Sequence, residues 1–246
     1  MATLETDSYS VFGQYEYQMT DTIRLIGGAR IMREEKDYEG VWGLTPSTGN
    51  DQISFDAGMY IPNAAGAGDP FFYQDDLSET FWTGKLQLDY TPNDDLLVYA
   101  SVNRGVKAGS FNAALLGAYL GGGGNAGVPY DEEVLTSYEV GFKSTLANGA
   151  ARLNGSAYYY DYSDYQAFLF VGVGGNVVNL DAETYGAEIE LQASPTDRLD
   201  LIVSASYVDA QVDDLPLRNG SPLPTRDVTP TYTPEFQAFA MARYTV

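Results

Sequence analysis

The chain has no cysteine and no histidine among its 246 residues. Disulfides are therefore impossible, and cysteine usage says nothing of redox compartment. A Ser-His-Asp or Cys-His triad cannot be assembled, and the usual His/Cys zinc sites are excluded. Cations are also scarce: 13 Lys+Arg stand against 34 Asp+Glu, a formal charge of −21. Nucleic acid needs a basic footprint, and a polybasic membrane patch needs the same, so both are excluded as partners. No long apolar run is present. The uncharged stretch from Ser110 to Tyr130 contains Gly121–Gly124, Asn112, Asn125 and Pro129. A lipid-spanning helix would be mostly apolar over about 20 residues. That stretch reads as a glycine-rich loop with a short helical turn near Ala113–Leu120. The start, Met1-Ala2-Thr3-Leu4-Glu5, lacks the basic and apolar regions of a secretory signal.

What is abundant is tyrosine, 20 residues, and glycine, 26 residues. A disordered acidic chain would be poor in aromatics. Tyrosine suits a boundary between lipid and water, because its ring is apolar and its hydroxyl is not.

The residues also keep a rhythm. Tyr9, Val11, Gly13, Tyr15, Tyr17 and Met19 alternate with Ser10, Gln14, Glu16 and Gln18. Residues two apart share a face of a strand. Further alternating segments follow: 23–32, then hairpins over 80–104, 135–162 and 179–210, and a ninth strand over 234–245. Short polar turns fall at Thr20-Asp21, 91–95, 147–149 and 194–197. Long loops are expected over 35–79, 105–134, 163–178 and 211–233. Short turns at one end and long loops at the other are the layout of a transmembrane β-barrel. The expected fold is an antiparallel up-and-down barrel with its apolar face toward lipid and its polar face toward a wet lumen. A soluble all-β sandwich would bury the apolar face instead. Strand length and the aromatics near strand ends (Tyr9, Trp82, Tyr90, Tyr138, Tyr207, Tyr244) favour the barrel.

Several local sequences bear on function. Leu97-Val98-Tyr99-Ala100-Ser101-Val102-Asn103-Arg104-Gly105-Val106-Lys107-Ala108-Gly109-Ser110-Phe111-Asn112 resembles the "LYAS-x-x-RG-x-K-x-G-x-FN" stretch of TonB-dependent outer-membrane receptors. Tyr138–Lys143 resembles that family's "YE-x-G-x-K" strand, Tyr158–Tyr162 its "FYYDY" strand end, and Tyr185–Glu190 its "YG-x-E-x-E" strand. Their order and spacing agree across nearly the whole chain. The resemblance implies a 22-stranded barrel around an N-terminal plug that engages an energising inner-membrane protein of the TonB type. Residues 1–246 are then expected to be a partial barrel domain of about nine middle-to-late strands, with plug and roughly five final strands absent. The implied function is energised uptake of a scarce ligand, a ferric siderophore or other iron complex, across a Gram-negative outer membrane. It is not an enzyme, and no cofactor or metal is expected. A passive porin-like channel and a soluble all-β binding domain are the alternatives.

Arg104, Lys107, Glu139, Lys143, Glu188 and Glu190 are the candidate lumen or rim contacts to ligand or plug. Glu188 and Glu190 share a face about 6.6 Å apart. That spacing admits glycoside or metal chemistry, but the resemblance places both as lumen-facing polar residues. Arg104 falls on the apolar parity of its strand, so it must lie above the lipid band or a bulge must shift its register. Asp75-Asp76 and Asp131-Glu132-Glu133 lack the spacing of a calcium loop and read as solvated charge. Gly121–Gly124 lacks the Lys-[Ser/Thr] of a phosphate loop. Asn154-Gly155-Ser156 is a glycosylation sequon inside an expected strand, and Phe168-Leu169-Phe170-Val171 reads as a strand extension above the membrane.

Overall fold

The computed structural model describes residues 2–42, 71–112, 128–171, 174–216 and 225–246. Alternation becomes strands almost everywhere. β1 (Ala2–Gln18), β2 (Ile23–Trp42), β3 (Phe71–Asn93) and β4 (Leu96–Lys107) precede two short strands, β5 (Ser110–Phe111) and β6 (Pro129–Tyr130). Then come β7 (Glu133–Leu146), β8 (Ala151–Val171), β9 (Gly174–Thr196), β10 (Leu199–Pro216), β11 (Thr225–Val228) and β12 (Phe236–Tyr244). The only helical piece among the described residues is a 3-10 turn, Ala147–Gly149. It is the expected 147–149 turn, and Asn148 and Gly149 take positive φ there (55° and 91°).

The long strands form one antiparallel sheet in the order β1-β2-β3-β4-β7-β8-β9-β10, with β11 and β12 both on the far edge of β10. Each neighbour in sequence is a neighbour in space, the up-and-down topology read from the sequence. The sheet does not close: among the described residues β1 and β12 do not pair.

The two faces separate as the alternation requires. In register across the sheet, Leu86 pairs with Val102, Val140 with Ala157, and Ile189 with Ala205. Leu86, Val140, Ile189 and Val203 are each between 46% and 57% exposed. No apolar centre gathers them. The opposite face holds the polar set, including buried Asp89, Ser101 and Ser137. This is the inside-out polarity of a lipid-embedded barrel. Among the described residues a cluster of buried apolar side chains, Tyr38, Tyr73, Phe111 and Val128, lies at the long-loop end, on the polar face.

The strands run further toward the long-loop end than alternation suggested. β2 and β3 narrow the expected 35–79 loop to 43–70, which lies outside the described residues. The expected 163–178 loop is strand on both sides, β8 and β9 paired out to Val171 and Gly174. Above the lipid band a hairpin needs no apolar face, so its Gly/Asn-rich sequence resembled a loop. The extension at Phe168 is as expected. The register shifts between Tyr162 and Tyr165, where Asp164 takes φ 56°. The expected helical turn at 113–120 and Gly121–Gly124 lie outside the described residues.

Candidate functional site: the lumen wall and its mouth

Strand register places the candidate residues. Cross-strand neighbours run Gln87–Ser101–Glu139–Tyr158–Gly186 in one row of the inner face. The next row runs Arg24–Asp89–Tyr99–Gly141–Ser156–Glu188–Ser206–Gln237. A third holds Lys143–Asn154–Glu190–Ser204. Glu139, Lys143, Glu188 and Glu190 therefore share one continuous wall. Lys143, Glu188 and Glu190 border a shallow concavity of about 480 Å³, with Tyr99, Asn154 and Gln237.

Two glycines let the wall form. A Cβ on Gly141 would stand 2.6 Å from the Tyr99 ring, and one on Gly186 would stand 2.5 Å from the Tyr158 hydroxyl. Each ring lies flat over a neighbouring strand because that strand carries no side chain there. Tyr99 then donates its hydroxyl proton to Glu139. The Tyr158 ring stacks on Tyr160 with centroids 4.7 Å apart. On the same face Arg24 donates to Asp89 from Nε (3.2 Å) and Nη2 (2.7 Å), and Gln87 donates to the other carboxylate oxygen at 2.6 Å. Asp89 is 2% exposed. Losing Arg24 would leave the buried Asp89 carboxylate with Gln87 as its donor.

Arg104 is not on this wall. Its register partners Gly84 and Thr136 are on the outer face. Its guanidinium sits 4.4 Å from the Trp82 ring centroid and donates to the Trp82 carbonyl. Arg104 lies three residues from the long-loop end of β4, the side on which a barrel's lipid band meets water. An arginine stacked on a tryptophan is at home at that boundary. The pairing through Arg104 is regular, without a bulge, so Arg104 stays on the outer face and off the lumen wall. Lys107 ends β4 on the inner parity, opposite Glu133.

The assembly at the mouth follows no alternation or charge pattern in the sequence. β5 and β6 form a small hairpin that lies against the inner face. On one side Phe111 stacks on Tyr38 (4.8 Å), and Tyr38 lies near Tyr73 (6.1 Å). Val128 is fully buried between them. Burial raises the Tyr38 phenol pKa, and burial with a hydrogen bond to Asp75 raises that of Tyr73. Lys36 pairs with Glu34 at 2.6 Å and donates to the Gly109 carbonyl.

On the other side three amides clamp the hairpin to β8 and β9. Asn112 exchanges two hydrogen bonds with the Val177 backbone, 2.7 and 3.0 Å. Asn179 does the same with Asp131, 2.9 and 3.0 Å. Gln166, 8% exposed, donates to the carbonyls of Ala108 (3.0 Å), Asp131 (3.1 Å) and Lys107 (3.4 Å). Glu79 lies close by. Desolvation, then the charges of Glu132 and Asp131, raise its pKa, with Lys36 opposing. The hairpin thus bridges β2–β3 and β8–β9 on the lumen side. Only the position of Asn112, at the end of the Gly-x-Phe-Asn stretch, was visible beforehand.

Asp75 accepts the Tyr73 hydroxyl proton at 2.7 Å, and Asp131 is held through its backbone. Among the described residues no group of three or more Asp/Glu is placed to hold a metal ion.

A family-wide sequence model described as TonB dependent receptor-like, beta-barrel, matches residues 1–246. Solved structures share the fold. The ferric yersiniabactin uptake receptor FyuA from Yersinia pestis superposes with a TM-score of 0.69 at 16% identity, covering 100% of this chain and 32% of FyuA. The closed form of the ferric-catecholate import receptor Fiu from E. coli K12 gives 0.64 at 17% identity, covering 99% and 32%. The siderophore receptor PiuA from Acinetobacter baumannii gives 0.60 at 16%, covering 99% and 31%. The chain thus spans about a third of the length of these receptors.

Proposed function

Starting from the fact that the chain belongs to the TonB dependent receptor-like β-barrel family, we propose that it is part of an outer-membrane receptor for energised uptake of an iron complex. The family consists of receptors and transporters, not enzymes. The family match over residues 1–246 carries the reading. The inverted polarity of the sheet and the siderophore receptors among its structural neighbours support it. In this reading residues 1–246 supply nine lipid-crossing strands of a 22-stranded barrel in a Gram-negative outer membrane. A plug fills the barrel and couples to a TonB-type partner. Glu139, Lys143, Glu188 and Glu190 contact the plug across the lumen, as charge-assisted hydrogen bonds to its polar surface. Lys107, at the mouth, meets the ligand. Arg104 anchors the rim in lipid.

Uptake of radiolabelled iron complexes by cells that express the full-length receptor tests the reading. Saturable uptake that stops when a protonophore collapses the proton gradient is expected. Uptake that is linear with concentration and indifferent to the protonophore would replace the receptor with a passive channel.

A further inference from the structure

The outer face of β1–β4 carries two arginines, Arg33 and Arg104. The other cations of these strands, Arg24, Arg30, Lys36, Lys85 and Lys107, take the inner parity. The two outer arginines are held differently. Arg33 has a carboxylate of its own, Glu35 at 2.7 Å, and donates a second bond to the Ser78 hydroxyl at 2.7 Å. Arg104 makes no ion pair among the described residues. In a chain with 34 Asp+Glu and only 13 Lys+Arg, an arginine without a paired acid runs against the composition.

Trp82 is what fixes Arg104. Gly84 leaves the outer face bare beside it: a Cβ there would stand 3.3 Å from the indole and 3.3 Å from the Gly28 carbonyl oxygen. The Trp82 ring therefore lies down over Gly84, the register partner of Arg104, and the Arg104 guanidinium covers the ring. Arginine presents five N–H donors in a fixed fork. One nitrogen donates to the Trp82 carbonyl, which leaves the rest of the fork without a partner among the described residues. The other register partner is Thr136, half-buried, on the same outer row. Toward the short-turn end this row gives way to an exposed apolar column of Leu86, Val102, Tyr138 and Val140. The first acid along the row, Asp161, is two strands away, roughly 10 Å.

We propose that Arg104, seated on Trp82 beside Thr136, binds a phosphate group of an outer-leaflet glycolipid whose acyl chains lie along the column of Leu86, Val102, Tyr138 and Val140. The inference goes beyond uptake and rests on the outer-membrane placement above, which sets the long-loop end at the outer leaflet. A guanidinium fork meets a phosphate with two parallel charge-assisted bonds. This fork is weakly hydrated and already ordered by the indole, so little freedom is lost when it docks. The Thr136 hydroxyl can donate to a third phosphate oxygen. An amphiphile matches both parts of this surface, the cation at the boundary and the apolar column below it. A soluble phosphate would match the first part alone. Arg33, its charge already met by Glu35, offers no such site.

The test uses the full-length receptor purified in detergent. It is titrated with bis-phosphorylated lipid A, with lipid A stripped of its phosphates, and with inorganic phosphate, and native mass spectrometry counts the lipids bound. The dephosphorylated lipid is expected to bind about tenfold more weakly. Excess inorganic phosphate is expected to displace no lipid. Arg104→Gln removes the charge and Trp82→Ala removes its platform; each should hold about one lipid A molecule fewer per receptor than the wild type. Arg33→Gln should hold as many as the wild type. Heat-dependent gel migration reports whether each variant is folded, and Trp82→Ala decides the matter should Arg104→Gln misfold. Folded Arg104→Gln with the wild-type count, an equal loss with Arg33→Gln, equal binding of both lipids, or displacement by inorganic phosphate would overturn the inference. Recovery of the receptor in the outer-membrane fraction is scored separately. Its absence there would remove the placement and the lipid site together, whereas failure of the lipid counts alone removes the site and leaves the placement and the uptake reading standing.

Discussion

An arginine in place of Ile189 tests the polarity of the sheet at its most sensitive point. Ile189 is 50% exposed on the outer face, while Gln192, on the same strand, faces the lumen and is solvated. Ile189 lies seven residues from the short-turn end of β9 at Thr196. That is roughly 16 Å up a strand tilted near 45°, close to the middle of a 25 Å band. A lipid-facing arginine at that depth costs about 2–4 kcal/mol. The folding equilibrium constant should fall roughly thirty- to seven-hundred-fold. Gln192→Arg keeps its side chain in water and should change stability by less than about 0.5 kcal/mol. Urea unfolding of the full-length receptor in phosphatidylcholine vesicles, read by heat-dependent gel migration, measures both. If Gln192→Arg were the costly change and Ile189→Arg the silent one, the apolar face would not be the lipid face.

Three further outcomes are expected. Gln166→Leu leaves the Ala108 carbonyl without its buried donor and the Asp131 carbonyl with Asn179 alone, about 1–3 kcal/mol, and hydrogen exchange at residues 108–112 and 128–132 should speed up with little change in the lipid-crossing strands. Glu79 has a raised pKa in the folded mouth, so its contribution to the docked hairpin is present at low pH and is lost as pH rises through that folded value; Glu79→Gln should slow exchange of the hairpin near neutral pH and flatten its pH dependence, and an unchanged profile would remove Glu79 from the mouth's energetics. Gly186→Ala puts a methyl group against the Tyr158 hydroxyl and the Tyr207 carbonyl, each 2.5 Å from the new carbon; because backbone cannot yield cheaply, it should destabilise by about 1–3 kcal/mol, more than Gly13→Ala, where nothing lies within 4 Å.

What was legible in the sequence was set by the solvent each residue meets. Inside the lipid band, hydrocarbon on one side and water on the other force strict alternation, so Leu86, Val140, Ile189 and Val203 could be assigned a face from spacing alone. Arg104 obeyed the same parity, and its regular pairing keeps it on the outer face beside Trp82. Above the band both faces of a strand meet water, and the signal fades: β8 and β9 continue through Asn176 and Gly175, which resembled loop residues. The mouth hairpin depends on Asn112, Gln166 and Asn179 reaching backbone groups 35 to 65 residues away. Side chain to backbone contacts carry no period and no charge pattern, so nothing in the sequence announced them. The bulge between Tyr162 and Tyr165 was hidden for a related reason: it breaks the two-residue count on which facing is read.

The rings laid over Gly141 and Gly186 have a consequence for how such a sheet comes together. Sliding β7 along β4 by two residues would preserve every inside–outside assignment, so hydrophobicity alone does not forbid it. It would, however, bring the Tyr99 ring onto Glu139 or Lys143, where a Cβ already occupies the space. The bare position opposite each ring acts as a keyway that accepts a single alignment. The polar residues between the keys are then at liberty to change with the cargo, without the staves of the barrel losing their places.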